Sequence, residues 1–385
     1  MPSTCRHCQR FDKLALMNLP APHPWPLRRA AAHAIALLCG LLAGCANSGR
    51  CDSPYAASPQ FKGCLFHNPP NPDARPSASP WKNWSRFIFA IKTGTVPVDP
   101  LPVRPLAAAQ LAALDPQANH LVRLGHSTVL LKLQGKYWLI DPMFSMRASP
   151  VQWFGPKRFT VPPIALEQLP PIEGVIQSHD HYDHLDQSTI AYLATRTQRF
   201  FVPLGVGQRL VGFGVPRDRI TELDWWQDAE QGGVRLTATR TQHFSGRTLT
   251  DRDQTLWSGW VIQSANQRLF YSGDSGYSEG FRLIGERFGG FDLAMIENGA
   301  YDDNWPSVHL TPEQGVQAFQ DLRAKVLMPV HNSGFDLAFH TWHAPLDRIA
   351  QAAQEKQVDL ATPELGEVVT VGLPRGNKLW WRGLR

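Results

Sequence analysis

A nine-residue segment rich in histidine and aspartate constrains this chain more than any other feature. Residues 178–186 read Ser-His-Asp-His-Tyr-Asp-His-Leu-Asp, with three histidines and three aspartates. The apolar residues 174–177 come directly before them and predict a buried strand. In an extended segment His179 and His181 face the same side, because side chains alternate along a strand. Imidazole and carboxylate are common ligands of zinc and similar metals, so the segment predicts a metal site.

Three further candidate ligands follow apolar segments downstream. They are His243 after residues 234–239, Asp274 after residues 269–271, and His331 after residues 326–328. Each therefore lies near the end of a predicted strand, as the first segment does. Side chains from four strand ends meet if these strands share one edge of a sheet core, which favours a two-metal site there. For any one of these residues alone, a hydrogen-bonded histidine or a turn aspartate is the ordinary alternative.

These motifs resemble the metallo-β-lactamase superfamily of metal-dependent hydrolases. Over roughly residues 105–346, further blocks are similar to its N-acylphosphatidylethanolamine-hydrolysing phospholipase D group. The blocks are residues 141–150, 155–159, 223–226, 242–244, 247–249, 256–260, 273–277 and 299–301. Asn332 departs from that group, which usually has tryptophan after the last metal histidine. The neighbourhood of the substrate is therefore expected to differ.

The pattern of predicted elements favours two sheets packed face to face with helices outside. It predicts a hairpin in each half of the chain, over residues 120–141 and 256–272. Predicted helices span residues 187–195, 204–213, 278–288, 312–322 and 345–354. Thr311 and Pro312 predict the N-cap and first position of one helix. The resemblance implies the same architecture, an α/β fold of the αββα sandwich type with metals at one edge.

The resemblance also implies how two metals share the ligands. One ion would be held by His179, His181 and His243, the other by Asp183, His184 and His331, with Asp274 bridging both. Two divalent ions about 3.5–4 Å apart would share a hydroxide as the nucleophile, because binding lowers the pKa of water to about 7. Zinc is the first expectation, although this donor set also accepts iron or manganese.

Five residues are candidates for catalysis and substrate binding. Asp183 is predicted to be a catalytic residue as well as a metal ligand. By resemblance His309 lies near the substrate phosphate and would act as a general acid; a loop hydrogen bond is the alternative role. Arg247 would bind a phosphate oxygen, with a surface salt bridge as its alternative. Gln152 and Trp153 align with residues at the lipid entrance of that group.

Three functions follow from these residues. The first is a membrane-anchored phosphodiesterase that releases an N-acylethanolamine or a similar alcohol from a phospholipid. The second is a lactone or β-lactam hydrolase on the same metals. The third is a non-catalytic envelope lipoprotein that binds metal or lipid. The complete set of seven candidate ligands favours an enzyme over the third function.

The distribution of charge gives little support to nucleic-acid binding. The formal net charge is +5, and residues 1–44 alone carry +4 of it. The remainder of the chain is almost neutral, so no basic binding face is predicted. With 385 residues, of which 43% are hydrophobic, the chain is expected to form one large or two ordinary globular domains.

The N-terminal part predicts export from the cytoplasm. Arg28 and Arg29 precede an apolar segment, residues 30–42, that is too short to span a bilayer comfortably. The following Leu-Ala-Gly-Cys resembles a bacterial lipobox, in which Cys45 is lipidated. Residues 1–45 are therefore predicted to be a signal peptide, and the protein an outer-membrane lipoprotein anchored at the membrane surface. A cytoplasmic enzyme with an N-terminal amphipathic helix is the alternative, and Met17 is an alternative start.

The rest of the chain is divided into a connecting segment and a catalytic domain. Residues 46–104 are rich in proline, serine and asparagine and predict a tether leading into a short cap. Residues 105–385 are predicted to be the hydrolase domain, which contains no cysteine and hence no thiolate ligand. Cys51 and Cys64 would form a disulfide bond in an oxidising compartment.

Overall fold

The computed structural model describes residues 53–72, 74–373 and 378–385, all within one compact unit. The predicted signal peptide, the lipidation site Cys45 and Cys51 lie outside the described residues. Cys64 is disulfide-bonded. Among the described residues, no helix combines the length and the apolar character that crossing a membrane requires.

Two large sheets form the centre of the molecule. The strands of the first sheet are β3 His120–Gly125, β4 Thr128–Leu133, β5 Lys136–Ile140, β6 Ile172–Ile176, β7 Thr197–Pro203, β8 Ile220–Leu223 and β15 Val368–Thr370. Those of the second are β9 Asp228–Gln231, β10 Val234–Thr239, β11 Gly259–Gln263, β12 Arg268–Tyr271, β13 Leu293–Glu297 and β14 Leu327–Val330. The strand orders are β15-β3-β4-β5-β6-β7-β8 and β14-β13-β12-β11-β10-β9. A separate small hairpin pairs β1 Phe61–Lys62 with β2 Leu65–Phe66.

Helices cover the outer faces of both sheets. The described α-helices are α1 Pro80–Phe89, α2 Ala108–Ala112, α3 Gln187–Leu193, α4 Val206–Gly212, α5 Gly280–Phe288, α6 Pro312–Asp321 and α7 Ala344–Glu355. Helices α3 and α4 pack on the first sheet, and α5, α6 and α7 pack on the second. The predicted αββα sandwich is confirmed, because each sheet buries one face against the other sheet and one against helices.

The strands are apolar on both faces, which is why their sequences do not alternate. Along β4, Val129 and Leu131 point between the two sheets, whereas Leu130 points toward the helices. Trp138 and Trp260 are fully buried in the layer between the sheets. The large aromatic content thus serves the core at these positions, which is the common use of tryptophan.

Helix α6 begins where the sequence predicts. The Thr311 hydroxyl accepts a hydrogen bond from Gln314 N, and the Gln314 side chain accepts one from Thr311 N. This capping box satisfies two backbone N–H groups that the first turn leaves without a partner. Pro312 occupies the first helical turn, and Val316 and Phe319 pack in the apolar layer under the second sheet.

Strands β3, β4 and β5 differ from the single hairpin predicted over residues 120–141. The structure has a second turn at residues 126–127, and the β3–β4 register shifts between Arg123 and Gly125. The predicted turn at residues 134–135 is present between β4 and β5. The extra turn was missed because it contains no proline or asparagine, and His126 adopts it with φ of 48°.

Part of the segment predicted as tether and cap packs on the hydrolase domain. Phe66 lies in an apolar cluster with Trp225, Leu256 and Trp257. Asn68 Nδ2 donates to the carbonyl of His243 at 2.6 Å, and its Oδ1 accepts from Trp257 Nε1 at 3.1 Å. This segment therefore reaches a residue of the candidate site. A tether remains a prediction for residues 46–52, which lie outside the described residues.

The strand directions bring the predicted ligands to one edge of the sandwich. Strands β5 to β8 are parallel, and so are β12 to β14. Strand β10 is antiparallel to β11, which is antiparallel to β12, so β10 and β12 run in the same direction. The C-terminal ends of β6, β10, β12 and β14 lead into the four predicted ligand segments.

Candidate metal centre

The predicted ligands form two groups, each with all its ligand atoms within 4.8 Å of one another. The first group contains His179, His181, His243 and Asp274; the second contains Asp183, His184, His331 and a histidine that was not predicted, His126. All are buried except Asp183 and His181, which are half-buried. The structure therefore brings together all seven residues that the sequence proposed as ligands.

The first group presents three ring nitrogens to one point. His179 Nε2 lies 2.8 Å from His181 Nδ1, which lies 3.2 Å from His243 Nε2. Other contacts orient two of these rings, because His243 Nδ1 lies 2.8 Å from the Val308 carbonyl and His179 Nδ1 lies 2.9 Å from Ser178 Oγ. Nitrogen lone pairs that converge in this way suit a cation, since neutral imidazoles cannot all donate to one another.

Asp274 lies between the two groups. Its Oδ2 is 3.0 Å from His331 Nε2 and 3.2 Å from His184 Nε2. The same oxygen is 3.8 Å from Nε2 of both His179 and His243. Asp274 Oδ1 and His184 Nε2 are buried and lack a hydrogen-bond partner within the described residues. These positions fit a carboxylate that two ions share, and the orphaned atoms are ones that a metal would satisfy.

Asp141 orients His184 by binding Nδ1, the ring nitrogen that does not face Asp274. Its Oδ2 accepts from His184 Nδ1 at 2.7 Å, from Ser178 Oγ at 2.6 Å and from Tyr271 Oη at 2.5 Å. The other oxygen accepts from Ser178 N at 2.7 Å. A carboxylate on the far nitrogen of a ligand histidine fixes its tautomer and raises its basicity. Asp141 follows β5 directly, so its position at a strand end was the signal that could have identified it.

The electrostatics of the site favour bound positive charge. Burial alone would raise the pKa of Asp274, but His184 and His331 hold it well below its usual range. Burial opposes protonation of His331, yet Asp274 and Asp183 raise its pKa to about 10. The pKa of His184 is likewise held well above its usual value by these two carboxylates, against burial. A divalent cation would supply the same positive charge and release these protons on binding.

His309 lies beside both groups of ligands and forms a third group with Asp274 and His331, whose ligand atoms lie within 4.8 Å of one another. Its ring centroid is 5.1 Å from that of His243 and 5.4 Å from that of His331. Its Nδ1 is 3.4 Å from Oε1 of Glu297, a fully buried carboxylate whose Oε1 accepts from Leu310 N at 2.6 Å. Glu297 was not predicted. It ends β13, at the same edge as the other strand ends, which was the available signal.

Arg247 is half-buried and makes several contacts with the protein. Its Nη1 donates to the carbonyls of Asp180 and Leu185 at 2.7 and 2.8 Å. Its guanidinium lies 3.9 Å from the ring centroid of Tyr182. These contacts support the ligand segment 178–186 from outside. The surface salt bridge weighed as its alternative is absent from the ion pairs of the described residues, and its phosphate contact remains a prediction.

The other two predicted substrate residues lie on an exposed loop. The Gln152 side chain bonds to the backbone of Arg147, as donor to its carbonyl and as acceptor from its N–H. Trp153 is 80% exposed and Phe154 68% exposed. Their exposure leaves them available to an apolar surface. Asn332, by contrast, is buried and accepts from Arg123 Nη2 at 3.0 Å.

A serine motif also occurs near the site. Residues 276–280 read Gly-Tyr-Ser-Glu-Gly, the pattern of the nucleophile elbow of α/β-hydrolases. An elbow requires the serine to follow a strand directly, but β12 ends seven residues earlier at Tyr271. Ser278 is buried and its Oγ accepts from Gly280 N at 3.3 Å. This serine therefore makes a local hydrogen bond before the helix α5 and has no elbow geometry.

Comparison with known proteins identifies the family. A family model described as a beta-lactamase superfamily domain matches residues 137–332, just over half of the chain. The chain belongs to the metallo-β-lactamase superfamily. An uncharacterized protein of Mycobacterium tuberculosis is 40% identical over 299 residues, which cover 77% of this chain and 79% of that protein. N-acyl-phosphatidylethanolamine-hydrolyzing phospholipase D 1 of Caenorhabditis elegans is 34% identical over 262 residues, 64% of this chain and 74% of that protein.

A solved structure shares the fold. The metallo hydrolase Igni18 of Ignicoccus hospitalis has a TM-score of 0.51 at 19% identity, covering 67% of this chain and all of that one. The metallo-β-lactamase superfamily resemblance and the α/β sandwich inferred from the motifs are therefore confirmed. The protein is a metal-dependent hydrolase of the metallo-β-lactamase superfamily, with two clusters of candidate ligands at one edge of its sandwich.

Proposed function

We propose that the protein is a phosphodiesterase of the N-acylphosphatidylethanolamine phospholipase D type that acts on a phospholipid. It uses two divalent metal ions, and zinc is the first choice of metal. The observation that carries this proposal is the position of His309, which lies beside both groups of candidate ligands with its Nδ1 3.4 Å from the buried carboxylate of Glu297. Cleavage of a phosphodiester of a poor leaving alcohol requires a proton donor as well as metal ions. The relative from Caenorhabditis elegans, whose name states this activity, supports the substrate class.

The residues have distinct parts in the reaction. When bound, a pair of divalent ions lowers the pKa of water for attack and stabilises the charge that develops on phosphorus-bound oxygens. Because His309 Nδ1 faces Glu297, its Nε2 is the nitrogen that remains for substrate. This Nε2–H donates its proton to the leaving oxygen as the phosphorus–oxygen bond breaks. Asp183 would hold one of the ions. Arg247, which supports segment 178–186 through the carbonyls of Asp180 and Leu185, would also contact the phosphate.

The surroundings of the site suit an amphipathic substrate. A small cavity of about 20 Å³, room for about one water molecule, adjoins His126 and His331, and its walls include Phe159, Phe335 and Trp342. Trp153 and Phe154 are exposed on the loop after β5. Exposed tryptophan side chains suit a membrane interface, where one end of the ring meets lipid and the other meets water. They support a lipid substrate over a small polar phosphodiester.

A panel of substrates separates this proposal from its alternative, a lactone or β-lactam hydrolase. We expect the metal-replete protein to hydrolyse bis-p-nitrophenyl phosphate and an N-acylphosphatidylethanolamine in micelles, with slower or no turnover of a lactone and of nitrocefin. Preferred turnover of the lactone or nitrocefin would support the alternative. Absence of turnover on every substrate would favour a non-catalytic lipoprotein.

The predicted lipid anchor leads to a separate proposal on location. We propose that Cys45 is acylated and holds the enzyme in the bacterial outer membrane, because Ala46 and Asn47 follow it and no aspartate is present to favour inner-membrane retention. Several acyl chains hold a protein stably, whereas a single chain gives only marginal binding.

Fractionation of the host cells tests the anchor. Wild-type protein should appear in the membrane fraction with an acylated N-terminus by mass spectrometry, and Cys45→Ser should move most of it to the soluble fraction. An unprocessed soluble wild-type chain, or a Cys45→Ser variant that fractionates like wild type, would rule out lipidation and favour the cytoplasmic alternative.

A further inference from the structure

We propose that His126 is a positioning residue for the second group of ligands, holding the carboxylate of Asp183 in the orientation that binds metal. The inference rests on the metal-dependent hydrolase assignment and is independent of the substrate. The sequence pattern did not identify His126 as a candidate, since it lies in a turn 53 residues before His179, the first histidine of segment 178–186.

The contact between the two side chains is direct. His126 Nε2 lies 3.0 Å from Asp183 Oδ2, and His126 is only 3% exposed. An ionised carboxylate can only accept, so the hydrogen must be on Nε2 of the histidine. The Asp183 oxygen it contacts is the one that also lies 3.1 Å from His331 Nε2 and 3.4 Å from His184 Nε2. The hydrogen bond therefore ends on the atom around which this group of ligands converges.

The backbone of His126 holds a second candidate ligand. Its carbonyl accepts a hydrogen bond from His331 N at 3.2 Å, and the two ring centroids are 4.1 Å apart. His126 itself has φ of 48°, and the preceding Gly125 has φ of 138°. A non-glycine residue in this region is strained and persists where the surroundings require it. His126 thus links the Asp183 side chain to the turn that carries His331.

The neighbouring chain is shaped to the imidazole ring. A Cβ atom on Gly334 would lie 2.6 Å from His126 Cβ and 2.9 Å from its Nδ1. The ring of Phe335 packs edge-on against the imidazole, with centroids 5.2 Å apart. A side chain at residue 334 would therefore displace the ring from Asp183. Glycine at residue 334 therefore leaves the space that the His126 ring occupies beside Asp183.

Two other roles for His126 make different predictions. A buried histidine can be a simple packing residue, in which case its loss would change stability but not the affinity of one metal ion. It can also be a direct ligand, because its nitrogen belongs to the second group. A positioning residue has an effect between those of a packing residue and a direct ligand. The loss of such a contact typically lowers metal affinity by about 10–100-fold.

The experiment is a metal titration of chelator-stripped protein with zinc alone, monitored by calorimetry for both binding events. The loss variant is His126→Asn, because asparagine tolerates positive φ and its short amide does not reach Asp183. The rescue variant is His126→Gln, whose amide N–H extends to the Nε2 position. His120→Gln is the control, a buried histidine at the other end of β3 that contacts Thr370 and Asp115.

We expect His126→Asn to weaken the second zinc equivalent by about 10–100-fold and to leave the first within about twofold of wild type. His126→Gln should recover most of the loss, and His120→Gln should bind both ions like wild type. Circular dichroism of each stripped protein establishes that it is folded. Unchanged affinity in His126→Asn would overturn the proposal in favour of packing.

Two other outcomes would also overturn it, for different reasons. Equal loss of the second ion in His126→Asn and His126→Gln would make His126 a direct ligand. Wild-type protein that binds no zinc, iron or manganese would remove the metal centre itself, and the proposed function with it. If wild type binds two ions but hydrolyses no phosphodiester, the proposed substrate fails while the role of His126 stands.

Discussion

Asp274→Ala should lose metal and activity together. Because Asp274 Oδ2 lies between both groups of ligands, its removal takes one ligand from each ion. Loss of an outer-sphere contact alone costs about 10–100-fold in affinity or activity, so we expect a fall in turnover on the order of 10³-fold or more. Elemental analysis of protein purified without chelator should find up to two equivalents of metal in wild type and fewer than one in the variant.

The controls for this prediction separate ligand loss from misfolding. Asp274→Asn keeps the shape of the buried side chain and removes its charge, so it should lose metal while remaining folded by circular dichroism. Asp303→Ala changes an exposed aspartate and should leave the metal content unchanged. Full metal occupancy in either Asp274 variant would contradict the bridging role.

His309→Ala should lower turnover of a phospholipid by about 10²–10⁴-fold without removing metal. The reason is that an alkoxide leaving group needs the proton that the His309 imidazole would supply. A p-nitrophenolate leaves without protonation, so the loss should shrink for p-nitrophenyl phosphodiesters. Initial rates on an alkyl and a p-nitrophenyl substrate of matched shape, with metal content measured in parallel, test this difference.

The pattern of the losses decides between acid catalysis and binding. A residue that only binds substrate changes both substrates alike, mainly through KM. A proton donor changes kcat, and changes it most for the poor leaving group. Equal losses on both substrates would leave His309 as a binding residue held by Glu297, and lost metal in His309→Ala would place it among the ligands.

Much of the candidate site is local in sequence and was therefore predictable. Residues 178–186 supply four candidate ligands from one strand end, and their spacing is readable because a strand alternates its side chains. His243, Asp274 and His331 could be added because each also follows an apolar segment. Helix α6 was predictable for a similar reason, since the capping box of Thr311 and Gln314 is formed within four residues.

The position of Asp141 at a strand end was readable in the sequence, but its supporting role was not, because its partners are distant in the chain. Asp141 contacts His184 across 43 residues and Tyr271 across 130 residues. Arg247, predicted to bind phosphate, also donates from its guanidinium to the carbonyls of Asp180 and Leu185. A single charged residue gives no sign in the sequence of which of these roles it has, since the choice depends on what packs beside it.

The sequence by itself determined the family, the sandwich of two sheets and the seven candidate ligands, because these depend on periodicity and on motifs at strand ends. Only the tertiary structure decided which other residues hold these ligands in place. His126 and Glu297 reach the site through turns and strand ends that carry no motif. The physical reason is that a buried imidazole or carboxylate takes its role from its neighbours, and the pairing of strands chooses those neighbours.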